Sequence, residues 1–159
     1  MKRPWNRTNS NVYSLLTHNL KGETNMNICT YVSVVNMNPR LYAVSIDYNT
    51  LTYKNLICSS GNVVLQCLGK KNISVIRSLG KKSGLVFDKM VYLKKNRLIT
   101  SWNNFIVLKD VAFLVELKDP KIIHEMSDHA LFLFSVKSYK NSKNEILVFN
   151  DLIEKNIIL

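Results

Sequence analysis

Glycine is scarce in this chain, and the spacing of its glycines excludes the common nucleotide-binding loops. The 159 residues include 5 glycines, at positions 22, 61, 69, 80 and 84. None of them builds the Gly-x-Gly-x-x-Gly of a dinucleotide-binding unit or the Gly-x-x-x-x-Gly-Lys-Ser/Thr of a P-loop. A Rossmann-type site and a P-loop site are therefore excluded.

Cysteine is equally scarce and is not arranged for cross-linking. The 3 cysteines, Cys29, Cys58 and Cys67, are an odd number without a Cys-x-x-Cys pair, which excludes a disulfide framework and a zinc ribbon. Their apolar or hydroxylic sequence neighbours predict three unreactive core thiols. No apolar run reaches the ~18–20 residues that a bilayer span needs, and the first residues lack the apolar core of a signal peptide. We therefore expect a cytoplasmic protein.

Other sites of catalysis or metal binding are also missing. His124 and His129 resemble the pair of a zinc protease, but they are five positions apart instead of four and would lie on different faces of a helix. Ser78 and Lys81 match Ser-x-x-Lys without a nucleophile elbow, and such a match is expected by chance. We expect neither a metal site nor a serine nucleophile.

Acidic residues are few, so the chain is strongly basic. Asp and Glu number 11 against 22 Lys and Arg, which gives a formal net charge of +11. The lysines are scattered as pairs and singles instead of forming a tail or a helical stripe. A solvated basic surface explains this pattern at least as well as a nucleic-acid footprint does, and a basic nucleic-acid-binding barrel stays open only as an alternative.

The length and the apolar fraction of 47% predict one domain over residues 1–159, with residues 1–11 as a loose extension. Alternating apolar residues and turn signals predict a hairpin and several further strands, while capping residues and stop signals predict short helices. A loop is expected over Gly80–Asp88. The predicted strands are Asn25–Asn38, Leu41–Tyr48, Asn62–Leu68, Leu98–Ile99, Phe105–Lys118, Ala130–Lys140 and Ile146–Phe149, and the predicted helices are Thr50–Cys58, Asn72–Leu79 and a short one at the C-terminus. Many strands with few helices predict a mainly β, closed barrel.

Polar residues run through these otherwise apolar strands. They are Asn27, Thr30 and Ser33 on the first strand, followed by Asp47, Asn49, Thr50, Thr52 and Asn55 at the next strand-to-helix turn. A helix start with free N–H groups and threonine hydroxyls can bind a phosphate. Simple capping of the helix by Asn49 or Thr50 is the alternative reading, and the residues alone leave both open.

The order of several degenerate segments resembles the flavin reductase-like family from about Val12 to Leu159. These segments are NICTYVSVVNMNPRLYAVSID, TLTYKN, VVLQCLGKKN, LGKKSGLVFDK, SWNNFIVLKD and DHALFLFSVKSYK. The resemblance implies a Greek-key split β-barrel that holds FMN, or alternatively FAD, without a covalent bond. It also implies a homodimer with the flavin near the subunit interface.

The resemblance further implies the positions of the flavin-binding residues. Asn27, Thr30 and the backbone of Tyr31, Val32 and Ser33 would line the isoalloxazine ring and the ribityl chain. The residues implied at the phosphate are Thr52 with Thr50 and Asn55, Lys89 as the counter-charge, and Lys82 and Ser83 as further candidates.

His129 would lie close to the flavin and to an incoming nicotinamide, although a structural histidine at a strand end fits the same position. Trp102 and Phe105 could line the groove or belong to the core. Relatives often have Gly-Asp-His where this chain has Ser127, Asp128 and His129.

The implied activity is hydride transfer from NADH or NADPH to the flavin, with oxygen, free flavin or a partner protein as the electron acceptor. An FMN electron carrier that reacts poorly with nicotinamides is the alternative. Either function needs no side-chain nucleophile, because the cofactor supplies the chemistry.

Overall fold

The computed structural model describes residues 4–158, a chain of mostly antiparallel strands with short helices. Within this range the strands are β1 (Tyr13–His18), β2 (Thr24–Met26), β3 (Val32–Asn36), β4 (Leu41–Asp47), β5 (Val63–Cys67), β6 (Ile99–Trp102), β7 (Phe105–Leu108), β8 (Phe113–Glu125) and β9 (His129–Asn141). The helices are α1 (Leu51–Cys58), α2 (Ile76–Gly80), α3 (Lys89–Lys95) and α4 (Phe149–Glu154), with 3₁₀ turns at Pro4–Asn6 and Lys70–Val75.

Seven strands form one sheet in the order β2-β1-β5-β8-β9-β4-β3. The two strands at the ends of this order, β2 and β3, belong to one stretch of chain, residues 24–36. Cys29, between them, also forms a bridge with Tyr13 of β1. The stretch therefore pairs with β1 at its start and with β4 at its end, which closes the sheet into a barrel. The expected split β-barrel with a few short helices is confirmed.

The predicted single strand Asn25–Asn38 is wrong in its middle. The chain leaves the β1 ladder after Cys29 and joins the β4 ladder at Val32, so residues 27–31, here called the kink, are irregular. Two different partner strands, neither visible in the local sequence, impose this change. The predicted partner Leu41–Tyr48 is confirmed as β4, which forms the expected hairpin with β3.

The predicted strand Phe105–Lys118 is also wrong, because it is two strands in two sheets. β7 pairs with β6 in a separate hairpin, whereas β8 joins the barrel. Between them the chain turns at Asp110, whose φ is 57°. The predicted last strand, Ile146–Phe149, is reduced to single bridges at Ile146 and Val148 before α4 begins.

The helices follow their capping residues. Asp88 caps α3 by accepting a hydrogen bond from the N–H of Val91 at 2.9 Å. Neither α3 nor β1 was predicted from the sequence. The predicted helix Asn72–Leu79 begins as a 3₁₀ turn and becomes α-helical only at Ile76. The predicted loop Gly80–Asp88 is confirmed from residue 81 onward. None of the helices within residues 4–158 has the length and apolar character needed to span a bilayer.

Two apolar clusters lie on opposite faces of the sheet. On β5, Val63 and Leu65 belong to the cluster built with β4 and β9, while Val64 belongs to the cluster under α2, α3 and α4. Cys29 and Cys67 are buried in the first of these clusters, as predicted, but Cys58 is exposed at the last residue of α1. That helix packs only part of its surface on the barrel, so its final residue faces solvent.

The start of the chain contacts the last helix. The N–H of Phe149 donates to the main-chain oxygen of Ser10 at 2.9 Å, and the N–H of Asn150 donates to Oδ1 of Asn9 at 2.9 Å. Asn11 also bridges to Val148. These hydrogen bonds attach residues 9–11 to the start of α4.

Candidate functional site

Two adjoining clefts lie where the kink meets the start of α1. The strand cleft, about 240 Å³, is bordered by the kink, the end of β4 and His129. The helix cleft, about 260 Å³, is bordered by the start of α1, residues 79–84 and Lys89. Both clefts are lined by Asn27, Ile28, Asp47 and Thr50, so they form one continuous depression.

The kink presents free backbone groups to the strand cleft. Within the described residues, the N–H groups of Ile28, Thr30 and Tyr31 donate no hydrogen bond, whereas the N–H of Cys29 donates to the main-chain oxygen of Tyr13 at 2.8 Å. Oδ1 of Asn27 accepts from the N–H of Leu15 at 3.0 Å, which fixes this side chain against β1. A planar ligand with carbonyl and ring-nitrogen acceptors fits such a row of donors.

The start of α1 is capped by its own threonine. The Thr50 hydroxyl donates to the main-chain oxygen of Asp47 at 2.7 Å and accepts from the N–H of Tyr53 at 3.1 Å. The Thr50 side chain therefore caps the helix, which is the alternative to phosphate binding that the sequence left open. The N–H groups of Leu51 and Thr52 lie in the first helical turn, where no intrahelical acceptor exists. Thr52 is fully buried, so the N–H of the partly exposed Leu51 is the one open to an anion.

The structure does not bring all of the predicted residues to the clefts. Thr52 borders the helix cleft but is fully buried, and its hydroxyl accepts from Nδ2 of Asn25 at 3.3 Å. Asn55 is buried as well and donates to the Thr17 hydroxyl at 3.0 Å, away from both clefts. Val32 packs into the core, and Ser33 is exposed on β3 outside both clefts.

Lys89 is a buried cation at the end of the helix cleft. Its side chain comes from the first residue of α3, and its residue surface is only 5% exposed. Nζ donates to the main-chain oxygen of Leu79 at 2.6 Å, and within the described residues it pairs with no carboxylate. Burial lowers the pKa of this ammonium group from 10.5 to about 8. Such a group favours a bound anion, because an opposite charge would offset its lost hydration.

The loop between α2 and α3 carries the other predicted phosphate residues. Lys82 lies in the helix cleft with its Nζ 4.4 Å from the centre of the Phe87 ring. The Ser83 hydroxyl accepts from the N–H of Leu85 at 3.2 Å, so it stabilises the turn of the loop. Both residues border the cleft, but their own contacts are within the loop.

His129 stands at the mouth of the strand cleft. Its Nδ1 lies 2.9 Å from Oδ1 of Asp128. Its ring meets the ring of Tyr31 edge-on, with 5.8 Å between the ring centres. The side chain of His129 is 23% exposed, and Tyr31 is 65% exposed. The pairing with Asp128 leaves Nε2 as the imidazole nitrogen free for another partner.

Sequence reasoning missed two residues that shape the helix cleft. Asn25 of β2 supports Thr52, and Gly84 packs so closely that an added Cβ would collide with Oδ1 of Asn25 and lie 3.1 Å from Leu51. The position of Gly84 in a loop rich in small residues could have indicated a close contact of the backbone, but the sequence does not show that the contact is with β2. Trp102 and Phe105 lie outside both clefts and pack against the core, where Phe105 stacks on His18.

Cys29 borders the strand cleft without being reactive. Burial raises the pKa of its thiol to about 12, so the sulfur stays protonated at neutral pH. A protonated thiol is a poor nucleophile. Together the two clefts offer hydrogen-bond donors, one buried cation and a partly exposed histidine.

Comparison with known proteins identifies the family of the chain. The family model described as "Flavin reductase like domain" matches residues 5–152, so the chain belongs to the flavin reductase-like family, a class of flavin-related oxidoreductases. A search of the curated proteins found no match.

Solved structures share the fold at low sequence identity. An FMN-binding protein from Thermus thermophilus, solved with bound p-hydroxybenzaldehyde, is 16% identical with a TM-score of 0.75, over 90% of this chain and 78% of that one. The NADH:FAD oxidoreductase of Streptomyces globisporus C-1027, in complex with NAD and FAD fragments, is 14% identical with a TM-score of 0.76, over 92% and 84%. A Sinorhizobium meliloti 1021 protein is 17% identical with a TM-score of 0.76. The match covers 93% of this chain, which therefore spans about half, 51%, of that longer protein. At these identities the likeness shows the fold alone.

Proposed function

We propose that this protein binds a flavin non-covalently in the joined clefts and catalyses NAD(P)H-dependent flavin reduction. The observation that carries the proposal is the buried Lys89 ammonium, without a carboxylate partner, at one end of a depression whose other end presents free backbone N–H groups. Family membership supports the binding of a flavin. The Thermus protein with this fold is an FMN-binding protein, and the Streptomyces protein is an NADH:FAD oxidoreductase in complex with NAD and FAD fragments.

The chemistry of the donor groups fits the FMN moiety that FMN and FAD share. Two N–H bonds of the Lys89 ammonium remain for a phosphate after the one to Leu79, and the first-turn N–H of Leu51 adds to them. The kink N–H groups suit the carbonyl oxygens and ring nitrogens of an isoalloxazine. We place the phosphate at the helix cleft and the ring at the strand cleft on this basis.

When bound, the flavin supplies the chemistry by accepting a hydride from a nicotinamide and passing electrons onward. The kink would orient the ring through its N–H groups, and α1 with Lys89 would hold the phosphate end. Asp128 holds Nδ1 of the His129 imidazole, so Nε2 would be available to hydrogen-bond an incoming nicotinamide. No side chain needs to act as a nucleophile.

Flavin titration and steady-state kinetics test the proposal directly. The purified protein, mixed with FMN or FAD, should show saturable quenching of flavin fluorescence and should oxidise NADH or NADPH with added flavin. Absence of flavin binding would refute the proposal. Tight flavin binding with negligible NAD(P)H turnover would instead support the electron carrier that the sequence left as the alternative.

The proposal includes a homodimer, supported by an uncovered apolar groove. This groove, about 540 Å³, crosses β3, β4, β8 and β9 and is lined mostly by apolar residues, among them Val34, Met37, Tyr42, Val136 and Tyr139. Met37 is 80% exposed and Tyr139 is 71% exposed, an unusual state for two large apolar side chains that line one groove. Light scattering should give the mass of a dimer, and Tyr139→Lys should shift it toward the monomer.

We also propose a cytoplasmic location, supported by the three free cysteines, because free thiols persist in reducing compartments. Fractionation of cells that express the tagged protein tests this. Recovery of the protein outside the cytoplasm would contradict it.

A further inference from the structure

A further cleft lies between the β6–β7 hairpin and the end of β9. This hairpin cleft has a volume of about 310 Å³ and is bordered by β6, by residues 107–111, by the start of β8 and by the end of β9 with the residues after it. Its volume is at the lower limit of the ~300–1,000 Å³ that is usual for small-molecule sites. None of its lining residues borders the strand cleft or the helix cleft, so the proposed flavin function does not use it.

The hairpin cleft and the apolar groove lie on opposite faces of the β8–β9 ladder. Leu114 pairs with Lys140, and both line the hairpin cleft, whereas the next pair, Val115 and Tyr139, lines the apolar groove. Paired residues of neighbouring strands share one face of a sheet, and the following pair shares the other face. Only the last pair of the ladder borders both depressions. A dimer formed through the apolar groove would therefore cover the other face of the ladder.

Hydrogen bonds from two other segments fix the β7–β8 turn, which forms one wall of the hairpin cleft. The main-chain oxygen of Val111 accepts from the Ser142 hydroxyl at 2.7 Å and from Nδ2 of Asn144 at 3.1 Å. The main-chain oxygen of Lys109 accepts from Nδ2 of Asn72 at 2.7 Å. This wall is therefore preformed, which lowers the entropic cost of binding a ligand.

Aromatic and apolar side chains form part of the lining. Trp102 of β6 and Phe113 of β8 are both partly exposed and border the cleft, together with the buried Leu108 and Leu114. Partly exposed aromatic rings beside a buried apolar surface favour a planar ring as the ligand, because such a ring can stack on them or meet them edge-on.

Two lysines without acidic partners add positive charge to the same cleft. Lys109 and Lys140 are exposed, and within residues 4–158 neither forms an ion pair with a carboxylate. Asp110 also borders the cleft, but its Oδ1 lies 3.7 Å from Nζ of Lys71, which offsets its charge. The cleft therefore favours a ligand that carries a negative charge.

We propose that the hairpin cleft binds a small aromatic carboxylate, with its ring on Trp102 and Phe113 and its carboxylate at Lys109 and Lys140. An inorganic anion would leave the aromatic surface uncovered, and a neutral hydrocarbon would leave both ammonium groups without a partner. A dinucleotide is too large for the volume. This site is separate from the proposed flavin function and does not depend on it.

Titration of the full-length Trp5→Phe protein with benzoate, followed by NMR, tests the site. The chain has 2 tryptophans, so Trp102 then gives the only indole N–H signal. We expect benzoate to shift this signal saturably. Cyclohexanecarboxylate, which lacks the aromatic ring, and benzyl alcohol, which lacks the charge, should each bind at least about fivefold more weakly. Absence of a saturable shift with benzoate, or equal binding of benzoate and either analogue, would overturn the inference.

A matched pair of double substitutions locates the carboxylate. Lys109→Met with Lys140→Met removes both cations of the cleft, and Lys121→Met with Lys143→Met removes the same charge from exposed positions outside it. The first pair should weaken benzoate binding about tenfold or more, and the second should change it less than about twofold. Equal weakening by both pairs would mean a diffuse attraction to the basic surface and would refute a defined site.

The same titration in saturating FMN separates this site from the flavin function. The dissociation constant of benzoate should be unchanged by FMN, because the hairpin cleft shares no residue with the strand cleft or the helix cleft. Competition between FMN and benzoate would mean that benzoate occupies the flavin clefts, and the inference would be wrong. Failure of the protein to bind FMN would refute the flavin function and leave a positive benzoate result standing.

Discussion

Nζ of Lys89, on the first turn of α3, donates a 2.6 Å hydrogen bond to the main-chain oxygen of Leu79 near the end of α2. This bond spans the whole intervening loop, residues 81–88, and ties its two ends together. It also holds a cation in a buried position, where only an anion can offset the loss of hydration.

Replacing this cation should weaken flavin binding. Lys89→Met keeps a long apolar stem but removes the charge, so we expect the flavin dissociation constant to rise about 10-fold to 100-fold, since a charged hydrogen bond contributes about 1.5–3 kcal/mol. Fluorescence titration measures this. Lys54→Met, which removes an equal charge on the exposed face of α1 outside the clefts, is the control and should change affinity little.

The same lysine should give the flavin-free protein a pH-dependent stability. The pKa of Lys89 is about 8 in the folded chain against 10.5 when exposed, so between these values the unfolded chain holds a proton that the folded chain has lost. The free energy of unfolding should therefore rise with pH from about 8 to 10.5 through this group. Urea unfolding at both pH values should show this rise in the wild type and not in Lys89→Met.

Glu116 should contribute stability that acid removes. Although burial alone would raise its pKa, hydrogen bonds from Lys137 at 2.8 Å, Asn62 at 2.8 Å, Ser138 at 2.9 Å and Asn103 at 3.3 Å lower it to about 2. The contribution is present above the ordinary pKa of 4.5 and is lost as the pH falls from there toward 2.

Glu116→Gln should therefore lower the free energy of unfolding at pH 7 by about 1.5–3 kcal/mol. Chemical denaturation of the variant beside Glu125→Gln, an exposed glutamate on the same strand, gives the comparison. A difference between the two variants that persists unchanged at pH 2 would argue against the role of the carboxylate.

Gly84→Ala should disturb the wall of the helix cleft. The new Cβ would collide with Oδ1 of Asn25 and press on Leu51, so we expect a loss of about 1–3 kcal/mol in stability and weaker flavin binding. Gly61→Ala is the matched control, because its nearest neighbour, the Ser59 hydroxyl, would be at an ordinary 3.4 Å. Thermal unfolding of both variants measures the difference, and equal stability would contradict the tight contact at Gly84.

His129→Ala should separate hydride transfer from flavin binding. The imidazole stands at the open side of the strand cleft, so we expect kcat/KM for NAD(P)H to fall about tenfold or more while the flavin dissociation constant changes less than about twofold. Stopped-flow reduction of the bound flavin measures this. An equal loss in flavin affinity would mean that His129 supports the flavin site and does not meet the nicotinamide.

The parts of the fold that the sequence predicted correctly have local signals. Thr50 caps α1, and apolar alternation marks β4 and β9, so neighbouring residues carry the information. The kink depends on pairing with Tyr13 on one side and Val44 on the other, and those contacts are not encoded in the kink itself. Strand β7 was merged with β8 for the same reason, because the turn at Asp110 has no strong local signal.

The candidate site could be predicted as a set of chain segments but not as a set of side-chain contacts. Asn27, Thr30 and His129 border the same strand cleft, and their contact with a flavin stays a prediction. Thr52 and Asn55 instead turn toward Asn25 and Thr17, since buried polar side chains must find partners inside the protein. Which hydroxyl or amide points into a cleft depends on such distant partners, which a single sequence does not show.

The pairing of β4 with β9 joins segments that are far apart in the chain, and its register places Asp47 opposite His129. Both residues border the strand cleft. The hairpins β1–β2 and β3–β4 can form from neighbouring residues, whereas this long-range ladder must wait for a costly loop closure. We therefore expect the two sides of the cleft to come together late in folding, so that flavin binding by a refolding chain would report completion of the barrel.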